Sequence, residues 1–197
     1  MKIFKIAVII ALLLPACSCV PLSSFYPLWD EQHAAFESRL LGEWREKYSS
    51  DDGGLKFTEL AGKTYLVTLE EKNNSGKTIE YFYTANLVRL EKHLFLDFIS
   101  NEASIDKLIA EESHTMVLMH FFAQINLDGN TLKLALLDDE AFEKKVLKRE
   151  IDLPLLKREK TILLTAETAK IQQVLSRLAE DKDLWGAPTV MYRVPAP

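Results

Sequence analysis

The chain has 197 residues, 48% of them hydrophobic and 27% charged, with only seven Gly and seven Pro. That length is one domain's worth, and that composition excludes disorder, collagen-like repeats and low complexity. Net charge is −5, and the first sixteen residues carry only Lys2 and Lys5, which leaves 22 basic against 29 acidic groups in the remainder. Such a balance excludes an electrostatic footprint for nucleic acid.

The N-terminus carries the first element. Lys2 and Lys5 precede an apolar run, Ile6–Leu14, closed by Pro15. As a helix this run rises only about 14 Å, against the ~30 Å of bilayer hydrocarbon. Residues 1–16 therefore read as a secretory signal peptide rather than a permanent span. Leu14-Pro15-Ala16-Cys17 then resembles the lipobox of bacterial lipoproteins, with an aliphatic residue three before the cysteine and a small one just before it. The resemblance implies cleavage before Cys17, a diacylglycerol on its thiol, further acylation of the new amino terminus, and anchorage in the cell envelope. Ala16-Cys17-Ser18-Cys19 offers a second register, with Cys19 as the anchor. Ser18 stands where an aspartate favours inner-membrane retention, so the same resemblance points to the outer membrane of a two-membrane bacterium, facing the periplasm. One acyl chain binds marginally, at about 0.8 kcal/mol per buried CH₂; two or three hold stably. Both cysteines of the chain lie here. The domain beyond them has no disulfide, and its stability comes from its core.

Residues 17–28, with Pro21, Pro27 and a pair of serines, read as a lipidated tether, and 29–197 as a single domain. Trp29–Leu41 predicts a short helix capped by Asp30. Period-two alternation then takes over. Strands are expected at Trp44–Tyr48, Leu55–Leu60, Lys63–Glu70, Thr78–Thr84, Asn86–Leu90 and His93–Ile99. Asn73-Asn74-Ser75-Gly76 supplies one hairpin turn, and Asp128-Gly129-Asn130 another, between His114–Leu127 and Thr131–Leu137. On the first of those strands Val117, Met119, Phe121, Ala123 and Ile125 form a wholly apolar face, the better core candidate, with His120 and Gln124 opposite. Lys160–Thr165 reads as the last strand. Helices are expected at Ser104–Ala110, from Asp138 or Asp139 to Arg149, and at Ala166–Glu180 after a Thr165 cap, where Ile171, Val174, Leu175 and Leu178 make an apolar stripe. The fold class is mainly β: about eight mostly antiparallel strands in a small closed barrel, with helices outside it near the C-terminus.

Gly42-Glu43-Trp44, opening the first strand, resembles the G-x-W signature of lipocalins. The resemblance implies a Trp that plugs one end of an eight-stranded barrel and an Arg after the last strand that packs on it. Lys160–Thr165 runs into a helix without an Arg, and Arg193 comes only after that helix. Leu40–Trp44, Ala85–Leu90, Leu94–Asp97, Phe121–Leu137 and Ile162–Ala166 together are similar to a group of uncharacterised bacterial envelope lipoproteins. That likeness implies fold and address and carries no catalytic residue.

Catalytic motifs are wanting. Gly76-Lys77-Thr78 ends like a P-loop, but its first Gly would fall at Glu71 and it sits in a hairpin. Asn126-x-Asp128-x-Asn130 starts like a calcium loop, yet its twelfth position is Leu137. His114 and His120 lie about 20 Å apart along one strand, and His93 and Asp97 about 13 Å, so neither pair binds one metal ion. Whether Ser, His and Asp converge depends on the fold. No enzyme, cofactor or metal is expected. The basic concentration at Lys144, Lys145, Lys148, Arg149, Lys157, Arg158 and Lys160 is interleaved with acids and reads as a solvated face, with anionic head groups as the sharper alternative. The expected partners are the membrane, through the lipid, and either a small hydrophobic ligand held in the barrel or an envelope protein met by a filled one. If Cys17 is the anchor, Cys17→Ala abolishes labelling by a palmitate analogue; labelling that persists until Cys19 is changed moves the register.

Overall fold

The computed structural model describes residues 22–46, 53–72, 75–101, 118–158 and 161–195. In chain order the strands are β1 (Ser23–Ser24), β2 (Ala34–Ala35), β3 (Gly42–Glu46), β4 (Gly54–Leu60), β5 (Thr64–Lys72), β6 (Thr78–Leu90), β7 (His93–Ser100), β8 (His120–Asp128) and β9 (Thr131–Leu136). Helix α1 (Asp139–Leu147), β10 (Leu155–Arg158), β11 (Thr161–Leu164), helix α2 (Thr168–Leu178) and β12 (Thr189–Arg193) follow.

Strands β3 to β9 form an antiparallel meander, and β12 pairs with both β9 and β3. The result is a closed eight-stranded antiparallel barrel. Alternation decides what goes inside. The register lines up Ala85 with Phe98 and Phe121, and Leu87 with Leu96, Ala123 and Leu136, so every second residue points inward. Trp44, Phe57, Tyr65, Val67, Leu132 and Met191 complete a buried interior. Closure also leaves the barrel strands without free edges.

A second core lies outside this wall. Val88, Leu90, Phe95, Phe122, Ala135 and Leu137 face outward and pack against Phe142 of α1, Ile171, Val174 and Leu175 of α2, and Trp185. β10, β11 and β1 continue the sheet from the start of β8, with one parallel pairing between β1 and β11. Asp138 caps α1 by accepting from the Ala141 N–H at 2.8 Å.

Six expectations are corrected. The strands expected at Thr78–Thr84 and Asn86–Leu90 are one continuous strand, β6. Met119, expected on the apolar core face, is 37% exposed just before β8. The last barrel strand is β12; Thr161–Leu164 belongs to the side sheet. Residues 29–41 form no α-helix: Asp30 accepts the His33 N–H at 2.8 Å to cap a turn, β2 pairs with β6, and a 3-10 turn spans Ser38–Leu40. There the Arg39 guanidinium beside Glu37 holds its carboxyl down at about 2. Of the tether expected over 17–28, Leu22–Leu28 belongs to the folded domain, with Leu22, Ser23, Ser24 and Leu28 buried. Thr165 does not cap α2; Glu167 stands at that position, and the Thr168 hydroxyl donates instead to the Pro27 carbonyl at 2.7 Å. Cys17, Cys19, His114 and the helix expected at Ser104–Ala110 lie outside the described residues.

One end of the barrel is plugged. Trp44 is fully buried, its indole N–H donates to the Leu40 carbonyl at 2.8 Å, and the Arg193 guanidinium lies 4.4 Å from its ring centre. Arg193 also donates to the Leu41 carbonyl at 2.6 Å and to that of Arg39. Gly42 has φ +110°, and a Cβ there would stand 3.0 Å from the guanidinium. The position needs glycine for both reasons. Trp44→Ala is expected to lower stability by roughly 3–5 kcal/mol in denaturant unfolding, as for a buried large-to-small change. A loss under about 1 kcal/mol would place the ring outside the core.

Candidate functional site

The interior of the barrel is the first place to look for a ligand. At the plugged end Tyr65 lies between Phe36, stacked at 5.1 Å, and Phe57, edge-on at 6.0 Å. The Tyr65 hydroxyl accepts the Glu37 N–H at 2.7 Å and donates to the Glu37 carbonyl at 3.2 Å; burial pushes its pKa up to about 12. Towards the other end Phe98 and Phe121 stack at 4.9 Å, and Tyr83 meets them edge-on at 6.3 and 5.5 Å. These aromatic contacts line the bore with the chain's own side chains, at geometries that favour ring packing.

On the outer wall a buried acid organises the N-terminal segment. Asp97 of β7 has a fully buried carboxylate. Its Oδ2 accepts the N–H groups of Leu28 and Trp29 at 2.8 and 3.0 Å, and its Oδ1 meets His120 Nδ1 at 2.8 Å. Sequence spacing paired Asp97 with His93 along one strand; the fold pairs it with His120 across β7 and β8. Ser24 is register-paired with His120, so Ser, His and Asp do share one sheet face. Ser24 is fully buried, and its hydroxyl donates to the Tyr26 carbonyl at 2.7 Å. A substrate cannot reach it, and the trio is a packing arrangement. Gln124, also on this face, donates to the Ala179 carbonyl at 2.8 Å beneath the end of α2.

Further along β8, towards the plugged end, an open groove of about 870 Å³ runs between the wall and the segment after α2. Leu94, Ile125 and Ala135 lie on its wall side, with Trp185 and Pro188 opposite. Its charges are partly spent internally. Glu180 pairs with Lys92 and lies 3.7 Å from His93, and Asp181 is 2.7 Å from Lys145. Those lysines hold both carboxyls below their ordinary range. Lys133 and Lys182 also line the groove, so cations exceed acids there. Within the basic concentration three lysines have acid partners, Lys144 with Glu140, Lys145 with Glu150 and Asp181, and Lys157 with Glu143.

Among the described residues no group of three His, Cys, Asp or Glu side chains converges as a metal site. No helix among them is long and apolar enough to cross a membrane. Comparison with protein-family models, curated proteins and solved structures gives no match. The groove was invisible in the sequence because its walls are brought together only by α2 and the return of β12. The Asp97 clamp yields a direct test. Asp97→Ala leaves two buried N–H donors unpaired, so stability is expected to fall by about 1–3 kcal/mol per lost donor site. Amide exchange at Leu28 and Trp29 is expected to accelerate more than exchange in β4 and β5.

Proposed function

We propose that this chain is a lipid-anchored protein of the bacterial cell envelope that works as an interaction module, through the outside of a filled barrel. The observation that carries this reading is the contrast between the two spaces. Inside, buried side chains including Trp44, Tyr65 and Phe98 pack into one core, with Phe98 stacked on Phe121. Outside, the groove by Trp185 is open and of a size that accepts a side chain or short segment of another molecule. The anchor reading is supported by Leu14-Pro15-Ala16-Cys17 after a short apolar run. Cys17 would enter the membrane.

A specific observation keeps a ligand-binding reading in play. Tyr81 and Met119, at the unplugged end, are more than a third exposed. A shallow mouth there would hold part of a small apolar ligand above the Phe98–Phe121 pair.

The experiment compares the two. A photoreactive amino acid at Lys133 or Lys182 is expected to give a discrete protein adduct in intact cells, and one at Thr68, away from the groove, none. Native mass spectrometry of the purified protein is expected to show no fatty-acid-sized adduct, and lipids to leave its melting temperature unchanged. Groove positions without adducts, together with a lipid-dependent rise following RT ln(1 + [L]/Kd), would transfer the function to the mouth.

A further inference from the structure

The groove beside Trp185 keeps its apolar and its charged groups in separate places. Strand register sets Gln124 opposite Ala135, and Asn126 opposite Lys133 two residues further along the same outer face. Two residues of strand rise about 7 Å, and that distance separates the apolar part of the wall from its cation. The apolar part is held in place. The Trp185 ring lies 5.7 Å from that of Phe95, and its indole N–H donates to the Leu178 carbonyl at 3.2 Å. The Gly186 N–H ties the same segment to the Leu136 carbonyl at 2.9 Å.

The charges of the groove leave a remainder. Glu180 is taken by Lys92, and Asp181 by Lys145 of α1. Among the described residues neither Lys133 nor Lys182 has an ion-pair partner. Both are exposed, Lys133 on β9 and Lys182 on the segment after α2, so one free cation stands on each wall. Cations without counter-charge, beside a fixed apolar floor, suit a ligand that brings carboxylates and an apolar group together.

Carriers of negative charge differ in shape. A bilayer surface is flat and meets protruding side chains, not a floor between two walls. A nucleic acid carries a phosphate at every step and would meet Glu180 and Asp181 here. An extended peptide repeats its same-side groups every two residues, about 7 Å, and sends the intervening ones to the opposite side. Such a segment sets an apolar side chain on Ala135, a carboxylate at Lys133 and a neighbouring carboxylate at Lys182.

We propose that the groove binds an acidic peptide segment of another protein in extended form, with an apolar side chain over Ala135 and Trp185 and carboxylates on Lys133 and Lys182. The proposal rests on the reading of the groove as the interaction site and adds the chemistry of the partner.

The test places photoreactive benzoylphenylalanine at Ala187, an exposed groove position that leaves both lysines intact, in the full-length protein in living cells. Mass spectrometry then reads the peptide attached by the cross-link. A protein adduct is expected, its peptide carrying a pair of acidic residues within a few positions of an apolar one. Lys133→Glu with Lys182→Glu, checked for unchanged abundance and melting temperature, is expected to cut the adduct roughly ten-fold, since like charges then face each other. Lys133→Gln with Lys182→Gln is expected to give a smaller loss, and Lys133→Arg with Lys182→Arg to retain the adduct. An adduct that survives the double Glu change, or a peptide without acids, overturns the acidic partner and leaves the groove as an interaction site. An adduct of phospholipid mass overturns it in favour of a membrane. No adduct from Ala187, Lys133 or Lys182 removes the interaction site and the proposal together.

Discussion

The fold depends on the return of the last strand to the first. β12 must leave the helical layer and enter the gap between β9 and β3, and the short pairings it makes there would hold it weakly by themselves. Arg193 strengthens the closure at its final residue. Its guanidinium lies over the Trp44 ring and donates to two carbonyls of the 3-10 segment that plugs the barrel. One side chain thereby joins the first strand, the last strand and the plug. Cation–π contact and hydrogen bonds from the charged guanidinium reinforce one another over the buried indole. The glycine at position 42 follows from this arrangement, since any Cβ would press on the guanidinium.

A second constraint acts on the opposite side of the wall. An eight-stranded barrel has one core inside, but β6 to β9 are apolar on both faces and need a cover. α1, α2 and the side sheet supply it. The N-terminal segment is threaded between that cover and the wall, and its N–H groups would be costly to bury unpaired. Asp97 accepts two of them, and Gln172 of α2 donates to the Leu28 carbonyl at 2.8 Å. With its three partners, the buried carboxylate fixes the seat of the N-terminal segment on the wall.

These two devices give the molecule a direction. The plug and the turn from β8 to β9 lie at one end of the wall, and the start of β8, where β1 pairs, lies at the other. The groove beside Trp185, on the outside of the wall, mixes charge with apolar lining.

Much of the wall was legible in the sequence because a strand with one buried face writes its period directly into the residues. Phe121, Ala123 and Ile125 point inward and His120 and Gln124 outward, as the alternation of that strand requires. The stripe of α2 and the Asp138 cap were equally local signals. β12 was not legible: its inward residues are Met191 and Arg193, so a charged side chain stands where the pattern calls for an apolar one. The 29–41 segment has helix-like composition, but pairing with β6 and the plug override it. Local periodicity thus determined most strands of the wall and two helices. The partner of Trp44, the clamp on Asp97 and the ring packing inside the barrel were decided by tertiary structure alone. Each is a contact between residues distant in sequence, and such contacts leave no periodicity for the sequence to display.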